Sequence, residues 1–169
     1  MDTFVEQIVC KQKGGREYGI IALTILGALI VTAALLIFLP FLMILVIGVG
    51  YGVWWIITSQ NIEYEYSVTN GDIDIDQIVA QRKRKRLVSV SGEKIEAMGP
   101  YNMAEFAGRQ FDRRVIAAPS EQTATWYFSY HSKKNGHTLV VFEPEERVLE
   151  ALKAGLPKLL QLELKKKTM

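Results

Sequence analysis

Residues 18–59, YGIIALTILGALIVTAALLIFLPFLMILVIGVGYGVWWIITS, contain no charged side chain and one proline, Pro40. As one unbroken helix the stretch would run about 60 Å at 1.5 Å per residue. The hydrocarbon core of a bilayer is about 30 Å thick, so the run is long enough to cross it twice. A soluble domain of this size cannot hide such a segment, and the chain reads as an integral membrane protein. Pro40 removes a backbone donor and disfavours a helical Leu39 before it. The expected arrangement is a two-helix transmembrane hairpin over residues 18–58. One helix runs from about Tyr18 to Leu39, the other from about Phe41 to Thr58, and the turn lies near Leu39-Pro40. A single crossing by one Pro-kinked helix would strand roughly 30 Å of apolar helix in water. A re-entrant hairpin that stops short of the far side is the other arrangement.

The flanks orient the pair. Lys11, Lys13 and Arg16 precede the first helix, Arg82 to Arg86 follow the second, and the turn carries no charge. The positive-inside rule then places both termini in the cytoplasm, with two spans in the cell membrane. Tyr18, Trp54 and Trp55 stand where interfacial anchors belong. Gly48 and Gly52 form a GxxxG pair, read first as packing the two helices together and second as a homodimer contact. A cleaved signal peptide has an apolar core of roughly 7–15 residues, far shorter than this run.

Residues 1–17 read as an amphipathic cytoplasmic segment. Phe4, Val5, Ile8 and Val9 fall at helical spacing, which suggests a short interfacial helix hinged at Gly14-Gly15. Cys10 is the only cysteine, so no internal disulfide framework exists, and a reducing cytoplasm fits. Acylation of Cys10 would need a second cue that is not present, so an unmodified thiol is expected.

Beyond Asn61 the apolar period switches from helical to two, and residues 60–169 are enough for one cytoplasmic domain. Ile62, Tyr64, Tyr66 and Val68 alternate with polar residues up to Asn70-Gly71, a strong hairpin signal. Ile73 and Ile75 resume the alternation, and Ile78, out of phase, suggests a bulge near Asp76-Gln77. A third strand is expected from about Lys85 to Ser91, then a short helix from Ser91-Gly92-Glu93 through Met98. Asn102 and Glu105 resemble a capping box for one helical turn. Strands follow over 113–118, 123–132 and 137–142, the last two joined at Asn135-Gly136. Pro144 opens a C-terminal helix with a buried stripe of Val148, Leu149, Leu152 and Leu156, interrupted by Gly155 and Pro157. Leu159, Leu160, Leu162 and Leu164 extend its apolar face. The fold class is therefore an α+β membrane protein. A transmembrane helical hairpin is followed by a small antiparallel β half-barrel or sandwich, pleckstrin-homology-like in element order, with a C-terminal helix from about residue 144.

Charge gives one sharp candidate surface, the run Arg82, Lys83, Arg84, Lys85 and Arg86. Near an anionic leaflet each basic residue contributes about 1 kcal/mol. The competing role is internal. Glu63 and Glu65 share a face with Asp72, Asp74 and Asp76, like charges across strands repel, and a third strand entering at Arg82 would neutralise them. The formal charge of +2, with no interleaved aromatics, does not suggest nucleic acid. The three aspartates spread along one strand rather than converging, so no calcium site is expected. His131 and His137 lack a third ligand, and no metal or cofactor site is expected. The stripe Trp126, Phe128 and Tyr130 reads as core. No catalytic fingerprint appears, and no catalytic residue is assigned.

The whole chain resembles a domain-of-unknown-function group of small membrane proteins from clostridia-like Gram-positive bacteria. The resemblance rests on MDTFVEQIV at residues 1–9, on the hairpin, and above all on EYEYSVTNGDIDID at residues 63–76. Lys94-Ile95-Glu96 after the basic run and Phe142-Glu143-Pro144 complete it. It implies a membrane-tethered domain similar to bacterial pleckstrin-homology-like folds and supplies no catalytic residues. The expected function is a non-enzymatic binding or scaffold module at the inner leaflet, acting through a protein partner or self-association. Sensing of anionic lipid headgroups through Arg82–Arg86 is the alternative, and an accessory or enzymatic role in the envelope is the third.

Overall fold

A computed structural model of the chain describes residues 3–39, 41, 43–106 and 108–168. Pro40, on which the expected turn rests, lies outside them. The chain divides into two compact units: residues 12–62, and residues 1–11 folded together with 63–169.

The first of these contains two apolar helices, α1 (Gly15–Phe38) and α2 (Ile44–Thr58). The Gly14 amide donates to the Glu17 carboxylate at 3.0 Å and closes the start of α1. The helices pack on one another along a seam. Ile21, Thr24, Ala28, Thr32 and Leu35 of α1 and Val46, Val49, Gly52, Val53 and Ile57 of α2 are among the half-covered positions, and they recur at helical spacing. No described residue of either helix is buried. Hydroxyls inside the apolar stretch find backbone partners: Thr24 donates to the Ile20 carbonyl at 2.8 Å and Ser59 to that of Trp55 at 2.6 Å. Among the described residues, α1 is the one helix long and apolar enough to cross a membrane; α2, at 15 residues, is shorter.

The other unit is built from two four-stranded sheets. The first has the order β1 (Phe4–Cys10), β2 (Ile62–Thr69), β3 (Asp72–Val79), β4 (Lys83–Val90). β2 and β3 turn at Asn70-Gly71, whose φ values of 52° and 87° are what a two-residue hairpin needs. The expected interfacial helix at the N-terminus is instead β1, paired antiparallel with β2 from Phe4↔Thr69 to Cys10↔Glu63. Val5, Gln7 and Val9 share the face of Val68, Tyr66 and Tyr64, with Gln7 as the polar member that broke the alternation. Gln7 is buried, accepts from the Glu145 amide at 2.7 Å and donates to the Glu143 carbonyl at 3.0 Å. A side chain thus ties β1 to the entrance of the C-terminal helix, a link no local pattern reveals.

A 3₁₀ turn at Gly92–Lys94 replaces the expected helix and leads into β5 (Ile95–Pro100). The one-turn helix α3 (Met103–Phe106) forms as expected, with the Ala104 amide donating to the Asn102 side chain at 3.1 Å. β6 (Arg113–Ala117), β7 (Trp126–Ser132) and β8 (Gly136–Phe142) complete the second sheet in the order β5-β7-β8-β6. The expected wholly antiparallel arrangement is corrected at one pairing, because β6 runs parallel to β8. Asp112 sets that register: its amide donates to the His137 carbonyl at 3.0 Å, and its carboxylate accepts from the His137 amide at 2.7 Å. Gly136 makes room, since a Cβ there would lie 2.7 Å from Asp112 Cγ.

The two sheets close on Tyr66, Phe128 and Phe142, whose rings meet edge to face at 5.8 Å and 5.3 Å. On the outer side of the second sheet, Phe106 stacks on Tyr101 at 5.4 Å and meets Tyr127 at 4.5 Å over Leu139 and Val141. Burial on both faces explains why residues 138–142 are buried without alternation. The C-terminal helix is broken as expected into α4 (Glu146–Ala154) and α5 (Lys158–Thr168). Val148 and Leu152 of α4 are buried and Leu149 is half-buried. Of the four leucines expected on the α5 apolar face only Leu160 and Leu164 are buried, while Leu159 and Leu162 are exposed.

Three glycines distant in sequence meet where α4 ends. A Cβ on Gly155 would lie 2.7 Å from the Gly71 carbonyl oxygen, and one on Gly92 would lie 2.7 Å from that of Gly155. Backbone packs directly on backbone there, and any side chain would force the hairpin turn, the 3₁₀ turn and the helix end apart.

Candidate functional site

Four residues of the basic run, Lys83 to Arg86, lie on β4, and the two faces of that strand differ. A bulge sets the phase: Ile75 pairs with Val88 but Asp76 with Arg86, leaving Leu87 as the extra residue. The register shift falls between Ile75 and Asp76, close to the expected Asp76-Gln77, but the extra residue is on β4 and not on β3, where the sequence pattern placed it. Arg84 and Arg86 thereby come to the face of the acidic residues. Arg86 embraces Asp76 with Nε at 2.5 Å and Nη2 at 3.2 Å, and reaches Asp74 with Nη1 at 2.6 Å. Arg84 binds Glu65 and has Nη1 3.8 Å from Asp76. Glu65 and Asp76 are only 6 % and 4 % exposed, so both carboxylates are taken from water and answered by a guanidinium. Burial pushes the Glu65 carboxyl up, against the pull of the Arg84 charge, and Glu6 and Asp76 push the same way. Arg86 is held more firmly protonated by its hydrogen bond to Asp76. Two of the five basic residues therefore neutralise their own sheet. Lys83 and Lys85 pair in register with Val79 and Gln77 on the opposite face and are exposed, and Arg82 lies exposed in the turn before them.

That turn is unusual. Ala80 and Gln81, neither of them glycine, have φ of 53° and 55°. The left-handed region costs an L-residue about 1–2 kcal/mol. The Arg82 amide closes the turn on the Val79 carbonyl at 3.0 Å, and Gln81 reaches Glu63 at 3.5 Å. The β3–β4 turn therefore lies at the end of the first sheet where residues 10 and 63 pair and the chain passes into and out of residues 12–62.

A polar cleft of about 710 Å³ occupies the other end. Ser67 and Thr69 of β2, Asp72 and Asp74 of β3 and Ser89 of β4 line it from three neighbouring strands. Lys94, His131 and Lys133 form the wall from the 3₁₀ turn and the β7–β8 hairpin. The sequence reading missed this cleft. Its one local signal was the recurrence of hydroxyls at outward positions, and two of the wall residues, His131 and Lys133, come from a hairpin about 40 residues beyond β4. Asp72 already accepts the Gly92 amide at 3.2 Å. His137 lies 3.6 Å from Glu96, and its ring rests on Phe111 at 4.9 Å. Among the described residues no cluster of three His, Cys, Asp or Glu side chains is placed to hold a metal ion.

The remaining sequence candidates lie on the helices. A Cβ on Gly48 or Gly52 would meet nothing within 4 Å, so close approach of α1 does not require either glycine. Tyr18, Trp54 and Trp55 are exposed, and Tyr51 gathers the two tryptophans at 5.7 Å and 6.2 Å. Cys10 is exposed at the end of β1.

No curated protein and no solved structure matches the chain. One family model does, over residues 1–161, a span that takes in β1, both apolar helices, both sheets and the start of α5. The chain belongs to that family, the bacterial PH-like domain family DUF6106, and its α+β fold with a C-terminal helix is PH-like.

Proposed function

We propose that this protein is a membrane-tethered binding module without chemistry of its own. In this reading α1 and α2 cross the cell membrane as a hairpin, both termini are cytoplasmic, and the PH-like unit meets a protein partner or a second copy at the inner leaflet. The carrying observation is the pairing of β1 with β2 across the uncharged segment. Cys10 stands opposite Glu63, so the chain leaves one sheet, runs through 52 residues and returns to the same sheet. A single crossing would separate β1 from β2 by the bilayer, whereas two crossings keep them together. Lys11, Lys13 and Arg16 before the first helix supply the cytoplasmic bias. The 15 residues of α2 span about 22 Å, which a locally thinned bilayer or flanking apolar residues accommodate. The raised acid at Glu65 supports a structural reading of the charged face, since burial beneath Arg84 accounts for it.

Two measurements test the reading. The protein should stay with membranes through alkaline extraction, and Cys10 should react with a membrane-impermeant maleimide only after cells are opened. Cross-linking in membranes should then recover a stoichiometric partner or an oligomer. Release at alkaline pH, labelling in intact cells, or monomer alone in every mild detergent would contradict it.

A second reading has one observation in its favour. Arg82, Lys83 and Lys85 are exposed at the tethered end of the first sheet, where anionic headgroups are in reach. Amide exchange at residues 79–85 should then slow in nanodiscs containing phosphatidylglycerol relative to phosphatidylcholine alone. Equal exchange in both would remove it.

A further inference from the structure

The last helix has two apolar faces, and only one is used inside the fold. Leu160 and Leu164 are buried, and α5 packs on β5. Leu159 and Leu162 are 78 % and 59 % exposed. At 3.6 residues per turn, positions 158, 159, 162 and 165 fall within an arc of about 120°, opposite positions 160 and 164. The outer face thus interleaves two leucines with Lys158 and Lys165. Lys166 and Lys167 follow in the last turn, and Glu163 is the only acid in the helix.

We infer that this outer face seats on the anionic surface of the bilayer, giving the PH-like unit a membrane contact of its own. The inference rests on the membrane-tethered reading and adds to it which surface of the unit faces lipid. Charge complementarity selects the occupant. Lysines flanking exposed leucines match a layer with anionic headgroups above acyl chains. Two leucines are a small part of the roughly 800 Å² per partner that a stable protein interface buries, whereas a bilayer accepts single side chains. A helix that needed only to cover the core would place polar residues at 159 and 162.

The test uses full-length protein with Cys10→Ser and single cysteines carrying an environment-sensitive fluorophore, in nanodiscs of phosphatidylcholine with or without phosphatidylglycerol. Leu159→Cys and Leu162→Cys report α5, Ile37→Cys reports α1, and Lys134→Cys is the exposed control. With phosphatidylglycerol, labels at 159 and 162 should shift to the blue and be quenched by iodide about threefold less than the control, as interfacial burial requires. The paired reversal Lys158→Glu with Lys165→Glu should abolish that protection. Labels at 159 and 162 quenched like the control, while the label at 37 is shielded, would overturn the inference and leave the tether standing. Shielding that persists in phosphatidylcholine and in detergent would also overturn it, in favour of a second copy. A water-exposed label at 37 would remove the tether and the inference together.

Discussion

The two ends of the first sheet are built from opposite materials. At one end Gly71, Gly92 and Gly155 bring three backbones into contact and leave no room for a side chain. At the other, long charged side chains bridge β2, β3 and β4 above a turn that contains no glycine. Both ends are closed by turns with two consecutive positive φ angles, at Asn70-Gly71 and at Ala80-Gln81. The first turn uses residues that accept this conformation and is pressed against a helix end. The second holds an alanine and a glutamine there, where the chain enters and leaves the apolar helices. One end is fixed by shape and the other by charge.

Substitutions at the packed end should have the largest effect. Gly92→Ala and Gly155→Ala each place a Cβ within 2.7 Å of a carbonyl oxygen, at positions whose φ any residue can adopt. Each should cost about 3 kcal/mol or more, because backbone on three sides cannot yield as a side chain would. Denaturant unfolding in detergent, followed by Trp126 fluorescence in a Trp54→Phe, Trp55→Phe background, would measure it. Costs below about 1 kcal/mol would mean the three glycines do not touch.

Breaking the charged end comes next. Arg86→Ala leaves Asp76 buried with only the more distant Arg84, and should cost about 2–3 kcal/mol, below the full loss of a buried pair because Arg86 itself is half exposed. Lys85→Ala, one residue away and facing the other side, should change stability by less than about 0.5 kcal/mol. Equal effects would erase the distinction between the two faces of β4.

Tyr66 joins the two sheets. Its hydroxyl donates to the Ala117 carbonyl and accepts from the Glu143 amide at 3.4 Å. Tyr66→Phe should cost about 1–1.5 kcal/mol at neutral pH. Burial holds the Tyr66 phenol above its ordinary pKa of 10.0 in the folded state. The native state therefore keeps its proton where the unfolded chain loses it. Stability should be intact below pH 10 and fall as pH rises above it. Tyr66→Phe should flatten that alkaline fall; Tyr64 and Tyr130, also raised by burial, keep it from vanishing.

The smallest effect should be a gain. Ala80→Gly relieves a left-handed alanine at some cost in unfolded-state entropy, for a net stabilisation of about 0.5 kcal/mol. Thermal unfolding would resolve it, and a loss would mean that the turn is not strained.

Legibility in the sequence followed the range of the contacts. The Asn70-Gly71 hairpin and the cap at Asn102 are local, and both were readable; the irregularity near Asp76 was readable, but not that its extra residue is Leu87 on the partner strand. The neutralisation of Glu65, Asp74 and Asp76 was readable as one of two alternatives, because alternation fixes which charges share a face once three strands are in sequence. β1 was misread because Gln7 is buried for the sake of Glu143 and Glu145, and that partner lies 136 residues away. The parallel pairing of β6 depends on one carboxylate, Asp112, and the glycine contact depends on three segments meeting. Residues of these types carry no mark of such roles, since each would be equally at home in a surface turn.

The central claim is that the segment before the uncharged helices and the segment after them are neighbours in one sheet. Oxidation of full-length protein in native membranes, with Cys10 kept and a second cysteine introduced at Glu63 or at Ser67, tests it directly. Glu63→Cys should form an intrachain disulfide rapidly and nearly completely. Ser67→Cys, four positions and about 13 Å further along the strand, should not. Equal and slow reaction of the two would mean that residues 4–10 do not pair with β2, and the hairpin tether would lose its support.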